Sequence, residues 1–117
     1  MTRFEHLLTI LAEECAEVAQ RVSKAIRFGL TEVQPGQPLT NAKRIEHEMI
    51  DLLAAWNMLA REGAFPDACG PNETAVRMEA KEHKVERFLT FSAGRGLVDG
   101  VPADPFAAHP EAPEASS

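Results

Sequence analysis

Leu7 to Phe28 reads LLTILAEECAEVAQRVSKAIRF, without a glycine or a proline. Leu7, Leu8, Leu11, Cys15, Val18, Val22 and Ile26 recur in it at steps of three and four, the spacing that lines one face of a helix. The alternation of a half-buried strand is absent. The same reading carries outward along the chain. Glycine and proline are also missing from 39–62 and 72–93, whereas Gly29, Pro35, Gly36, Pro38, Gly63, Pro66, Gly70 and Pro71 fall between those stretches. That punctuation predicts three long helices and an all-α fold. In the second stretch Ile45, Met49, Leu52, Leu53, Trp56 and Leu59 repeat the helical step. Thr40 or Asn41 serves as its cap, Glu46 and Glu48 fall early, near the positive end of its dipole, and Gly63 is its stop. The third helix, Glu73 to about Phe91, has a thinner apolar face of Val76, Ala80, Val85, Phe88 and Leu89 beside Arg77, Lys81, Lys84 and Arg87, and reads as an edge element.

The chain has 117 residues, 44% of them apolar and 26% charged, which suits one soluble domain with a modest core. Eighteen acidic residues against twelve basic ones give a net charge of −6 with no Lys/Arg-rich run, which argues against a nucleic-acid partner. No apolar stretch approaches the roughly 20 residues of a bilayer span, and the N-terminus turns acidic before a secretory core could form. A cytoplasmic protein with no membrane partner is the expectation. Cys15 and Cys69 make no C-x-x-C pair and no zinc spacing, so both read as free thiols, Cys15 within the core. After Ser92 the chain holds four of its eight prolines and three of its seven glycines with no helical period. We therefore expect a helical domain over 1–91 and a Pro/Ala/Gly-rich tail over 92–117, in which Phe106 is the residue able to pack on a neighbour.

Three helices of this length leave wide apolar faces without enough partner surface. The first two, antiparallel, are expected to pair with a second copy and close a four-helix core, as a homodimer or a dimer of dimers.

Chemistry enters at Glu13-Glu14-Cys15-Ala16-Glu17 and at Glu48-Met49-Ile50-Asp51. Residues three apart lie roughly 60° apart around a helix and about one turn along it, so Glu14 and Glu17 point the same way, as do Glu48 and Asp51. Glu14 stands about 60° from Leu11 and Glu48 roughly 40° from Leu52, at the margins of the apolar stripes. Packing of the two helices brings those margins into one acidic cleft with an apolar floor. Two carboxylates about 5 Å apart repel by roughly 3 kcal/mol at an effective dielectric of 20, a penalty that a hard divalent cation removes. Oxygen-only ligands favour Mg²⁺ or Mn²⁺ over zinc. Acid pairs at this spacing also occur as plain solvated charge, and Glu13 and Glu46 read that way. A di-iron bundle would need Glu-x-x-His, and no histidine here has a glutamate three residues before it.

A polyanionic ligand at an acidic cleft needs cations for its outer phosphates. Lys81, Lys84 and Arg87 stand at three-residue steps on one helix, and Lys24 and Arg27 do so near the end of the first. Trp56 reads as core or interface, with base stacking as its other use, and Asn41 and Asn57 are able to read a base or ribose edge.

With these features the chain resembles the MazG-like, all-α nucleoside triphosphate pyrophosphohydrolases. The resemblance spans about Leu7 to Phe91 and rests on Glu14-x-x-Glu17 followed by Glu48-x-x-Asp51. SKAIRFGL (Ser23 to Leu30), PGQPLTN (Pro35 to Asn41) and KEHKVERF (Lys81 to Phe88) are similar to the small phage and bacterial members. It implies hydrolysis of a nucleoside triphosphate between its α and β phosphates, with Mg²⁺ or Mn²⁺ held by Glu14, Glu17, Glu48 and Asp51 and with Glu17 or Glu14 as general base. A purine deoxynucleotide such as dGTP is the first choice of substrate. Phosphoribosyl-ATP pyrophosphohydrolysis is the nearer rival, and a non-catalytic helical interaction module is the rival of a different class.

Overall fold

The computed structural model describes residues 1–99, so Phe106 and the rest of the expected tail beyond that point lie outside the described residues. Helix α1 spans Arg3–Phe28, α2 Asn41–Arg61 and α3 Pro71–Gly94. The described residues contain no strand; Val33 and Thr40 form an isolated bridge in the α1–α2 connection. Among the described residues the regular elements are all helices, as the punctuation predicts. It divides into two compact units, Met1–Asp67 and a second beginning at Ala68.

In the first unit α1 and α2 pack as an antiparallel hairpin. Thr2 opens α1 with a reciprocal cap: the Glu5 backbone N–H donates to its hydroxyl at 3.1 Å, and its own N–H donates to the Glu5 carboxylate at 3.3 Å. Arg3 Nε, at the start of α1, donates to Glu62 Oε1 at the end of α2 over 2.6 Å. At the other end of the hairpin Thr40 caps α2, accepting from the Lys43 N–H at 3.1 Å. Asn41 is the first helical residue and has a different task. Only 2% exposed, it donates from Nδ2 to the Gly29 carbonyl at 2.8 Å and to Glu32 Oε1 at 3.4 Å, so it ties the end of α1 to the start of α2. Asn41→Ala leaves the Gly29 carbonyl without its side-chain donor and is expected to cost about 1–3 kcal/mol. The melting temperature, read by circular dichroism, should fall by about 5–15 °C; an unchanged value would show that water replaces the amide.

The expected early acids of α2 are not early enough to feel its dipole. Its first turn contains no acidic residue, and the dipole's influence fades beyond that turn. Glu46 instead pairs with Lys43 at 2.9 Å on the surface, while Glu48 points into the seam between the helices.

The apolar faces also divide differently from the simple stripe. The buried apolar residues are Leu7 and Ala25 of α1 and Ala55 and Leu59 of α2. Cys15, expected in that core, is exposed, as are Leu8, Val22, Ile26, Met49, Leu53 and Trp56. At 100° per residue all of these are rotated by roughly 60–140° from the seam, in the same sense on both helices. Because the helices are antiparallel, equal senses of rotation lead to one side of the hairpin. Glu17 and Asp51 are rotated by roughly 60–80° in the opposite sense. The hairpin therefore has an apolar side and an acidic side, with Glu14 and Glu48 on the line between.

In the second unit Pro71 begins α3 at the first helical position, where its missing N–H and fixed φ are compatible with the fold. The helix runs past Phe91 to Gly94, so 92–94 belong to it and not to a tail. Its end is set by Gly96, whose φ of 73° is left-handed: the Gly96 N–H donates to Ala93 and the Leu97 N–H to Ser92. The end of α2 uses the same device, with Gly63 at φ 83° donating to Ala60 and Ala64 donating to Leu59. No residue of α3 is fully buried.

Candidate metal centre

The acid-x-x-acid spacing places two carboxylates on α1 and two on α2, and the antiparallel packing sets the pairs against each other. One oxygen from each of Glu14, Glu17 and Glu48 lies within 4.8 Å of the other two. Glu14 and Glu48 are half-buried and Glu17 is exposed. Glu14 Oε2 and Glu48 Oε2 are shielded from solvent and accept no hydrogen bond. Two buried acceptors without donors beside a third carboxylate form an all-oxygen donor set, the chemistry that suits a hard divalent cation. Exposed acidic groups are also common without one.

Asp51 is exposed and lies outside this trio, yet its charge acts on both Glu14 and Glu48. Burial raises the Glu14 pKa above the ordinary carboxylate value, followed by the charges of Glu17, Asp51 and Glu48. Burial likewise raises Glu48, helped by the charges of Glu17 and Asp51 and opposed by Arg21. The four acids thus form one electrostatic group.

A raised carboxylate pKa means that the folded protein holds protons more tightly than the unfolded chain. In the absence of divalent ions this contribution to stability is present near the unfolded value and is lost as pH rises through the raised one. Glu46, whose pKa is lowered by a hydrogen bond from Lys43 and by its charge, acts only below the ordinary range. Thermal melts in chelator should therefore show a melting temperature that falls as pH rises above the ordinary carboxylate range, a slope that Glu48→Gln flattens. A melting temperature that rises with pH there would contradict the assignment.

Arg21 was not legible as part of the site. It sits one turn beyond Glu17 on α1, with Nε 3.9 Å from Glu48 Oε1, and its Nη1 is shielded and without a partner. A seven-residue step from Glu14 was the available signal, since it returns to nearly the same face after two turns.

The remaining predicted cations are placed variously. Lys24 is half-buried on the acidic side of α1, while Arg27 is exposed with its guanidinium 4.9 Å from the centre of the Phe28 ring. Lys81, Lys84 and Arg87 lie along α3 in the second unit, Lys84 half-buried and the other two exposed. Trp56 is 45% exposed and stacks on Phe65, ring centres 4.0 Å apart. Asn57 is exposed, and Asn41 is committed to the hairpin connection. Both cysteines are free, as expected.

No family model, no curated protein and no solved structure matches the chain.

Proposed function

We propose that this chain is a MazG-like, metal-dependent nucleoside triphosphate pyrophosphohydrolase that releases a nucleoside monophosphate and pyrophosphate. The observation that supports it is the meeting of Glu14, Glu17 and Glu48, drawn from two helices, within 4.8 Å, with two of their oxygens buried and unpartnered. Glu14, Glu17, Glu48 and Asp51 would hold Mg²⁺ or Mn²⁺. Once bound, such an ion supplies neutralisation of phosphate oxygens and acidifies a coordinated water.

The chain's own residues have separable tasks. Glu17, exposed beside the buried pair, and Glu14, whose proton affinity is raised, are the groups available to accept the proton of the attacking water. As water oxygen bonds to the α phosphorus, the bond to the β-phosphate bridging oxygen breaks and pyrophosphate departs in line. Lys24, on the same side as Glu17, is a candidate for phosphate contact, with Arg27 one turn further on. A purine deoxynucleoside triphosphate such as dGTP is the preferred substrate in this reading.

The apolar side of the hairpin supports the second half of the proposal, a MazG-like bundle completed by another copy. Leu8, Val22, Ile26, Met49, Leu53 and Trp56 are each at least 39% exposed, and four antiparallel helices would bury them in one core. Sedimentation should give a dimer or tetramer at micromolar concentration, and a stable folded monomer would contradict it.

A panel of canonical and modified nucleoside triphosphates with Mg²⁺ or Mn²⁺, read by chromatography, tests the reaction. Monophosphate without diphosphate is the expected product. Diphosphate with orthophosphate, or no turnover across the panel, would overturn the reading, and selective turnover of phosphoribosyl-ATP would redirect it to that substrate.

A further inference from the structure

We infer that Arg21 is a phosphate-binding residue of this site, a guanidinium that Glu48 keeps beside the carboxylates; the inference rests on the nucleotide reading above. Arg21 lies one turn beyond Glu17 and two turns beyond Glu14, on the helix face that meets α2. Its side chain is 21% exposed and that of Glu48 18%, so both charges are largely withdrawn from water.

The geometry is not that of a completed structural ion pair. Arginine–carboxylate pairs are frequently bidentate, with two parallel hydrogen bonds at about 2.7–2.9 Å. Here Nε stands 3.9 Å from Glu48 Oε1, beyond hydrogen-bond length, while Nη1 and Glu48 Oε2 are both shielded and both unpartnered. A buried charged donor without an acceptor is destabilising unless an anionic oxygen completes it. A phosphate group offers such oxygens, and the planar fork of a guanidinium matches two of them together.

The surroundings select the ligand further. Glu48 belongs to the trio whose oxygens converge, so cations held there would draw phosphate oxygens to the same few ångströms that Arg21 occupies. Arg27, two turns nearer the end of α1, is instead laid over the Phe28 ring. Arg21 is thus placed to take phosphate oxygens when Glu48 turns its charge to a cation, and to neutralise Glu48 when it does not.

The test uses the full chain, with Arg21→Met to keep the stem and remove the charge, and Arg21→Lys to keep the charge without the fork. Calorimetry is run first with Mn²⁺ alone and then with inorganic pyrophosphate on the Mn²⁺-saturated protein. Arg21→Met should bind Mn²⁺ at least as tightly as wild type, since a repelling charge is gone, and pyrophosphate about ten-fold more weakly or worse. Arg21→Lys should fall between. Unchanged pyrophosphate affinity in folded Arg21→Met overturns the inference. So does an Arg21→Met that unfolds while Arg21→Lys binds pyrophosphate like wild type, which marks a structural charge, and so does Mn²⁺-loaded wild type that takes no pyrophosphate. Wild type that binds no Mn²⁺ fails at the earlier step, and removes the nucleotide reading together with this one.

Discussion

Glu48→Gln is expected to reduce pyrophosphate release by at least about a hundred-fold while the protein stays folded. Glu48 lies in the seam, its carboxylate is one of the three that converge, and Oε2 is shielded without a donor. An amide fills the same space but presents one neutral acceptor where a charged pair of oxygens stood. In chelator the change removes one charge from a repelling group, which stabilises the fold, and takes from Arg21 its nearest carboxylate, which does the reverse. Glu17 remains one turn from Arg21 on the same helix, so the melting temperature should be unchanged or raised. A fall of more than about 5 °C would mean that the ion pair outweighs the repulsion. Wild-type turnover would take Glu48 out of the site altogether.

Mn²⁺ added to the purified protein should raise its melting temperature by about 10–20 °C. A ligand present at a hundred times its dissociation constant stabilises the folded state by about 2.7 kcal/mol, and each kcal/mol moves the midpoint of a domain this size by about 4–8 °C. The effect has a structural reason: the acids gather only when α1 and α2 are paired, so the unfolded chain lacks the donor set. Scanning calorimetry over a metal titration reads it directly, and Glu48→Gln should abolish most of the shift. No shift at about millimolar metal would leave the acids as solvated charge and favour the helical interaction module.

Much of this was legible in the chain alone. Gly29, Gly63, Gly70 and Pro71 mark the helix ends, and the i, i+3 spacing marks Glu14, Glu17 and Glu48, which come together, and Asp51, which acts on them only through its charge. What periodicity did not resolve is rotation. Val22 and Ile26 continue the stripe begun by Leu7, yet Leu7 is buried and Ile26 is 80% exposed, because a helix with apolar residues over a wide arc turns only part of it toward a single neighbour. Cys15 follows Ile26 to the exposed side for the same reason. The side chain of Asn41 reads in sequence as a helix cap or a contact to a base or ribose, and only the return of the chain past Gly29 shows that it ties the two helices together. Arg21 was missed because a lone arginine among glutamates reads as ordinary surface charge until the second helix covers it. The extra turn of α3 was hidden by the Gly-Arg-Gly sequence, which signals a break but closes the helix only at Gly96.

The pairing of Trp56 with Phe65 gives the protein a built-in optical probe. The chain has one tryptophan and no tyrosine, so ultraviolet fluorescence excited at long wavelength comes from a single ring. That ring is packed on Phe65 with its planes only 14° apart, and 45% of the residue is open to solvent. If a second copy covers this face as proposed, dilution should shift the emission to the red and open it to acrylamide quenching, so dissociation would be visible without any label.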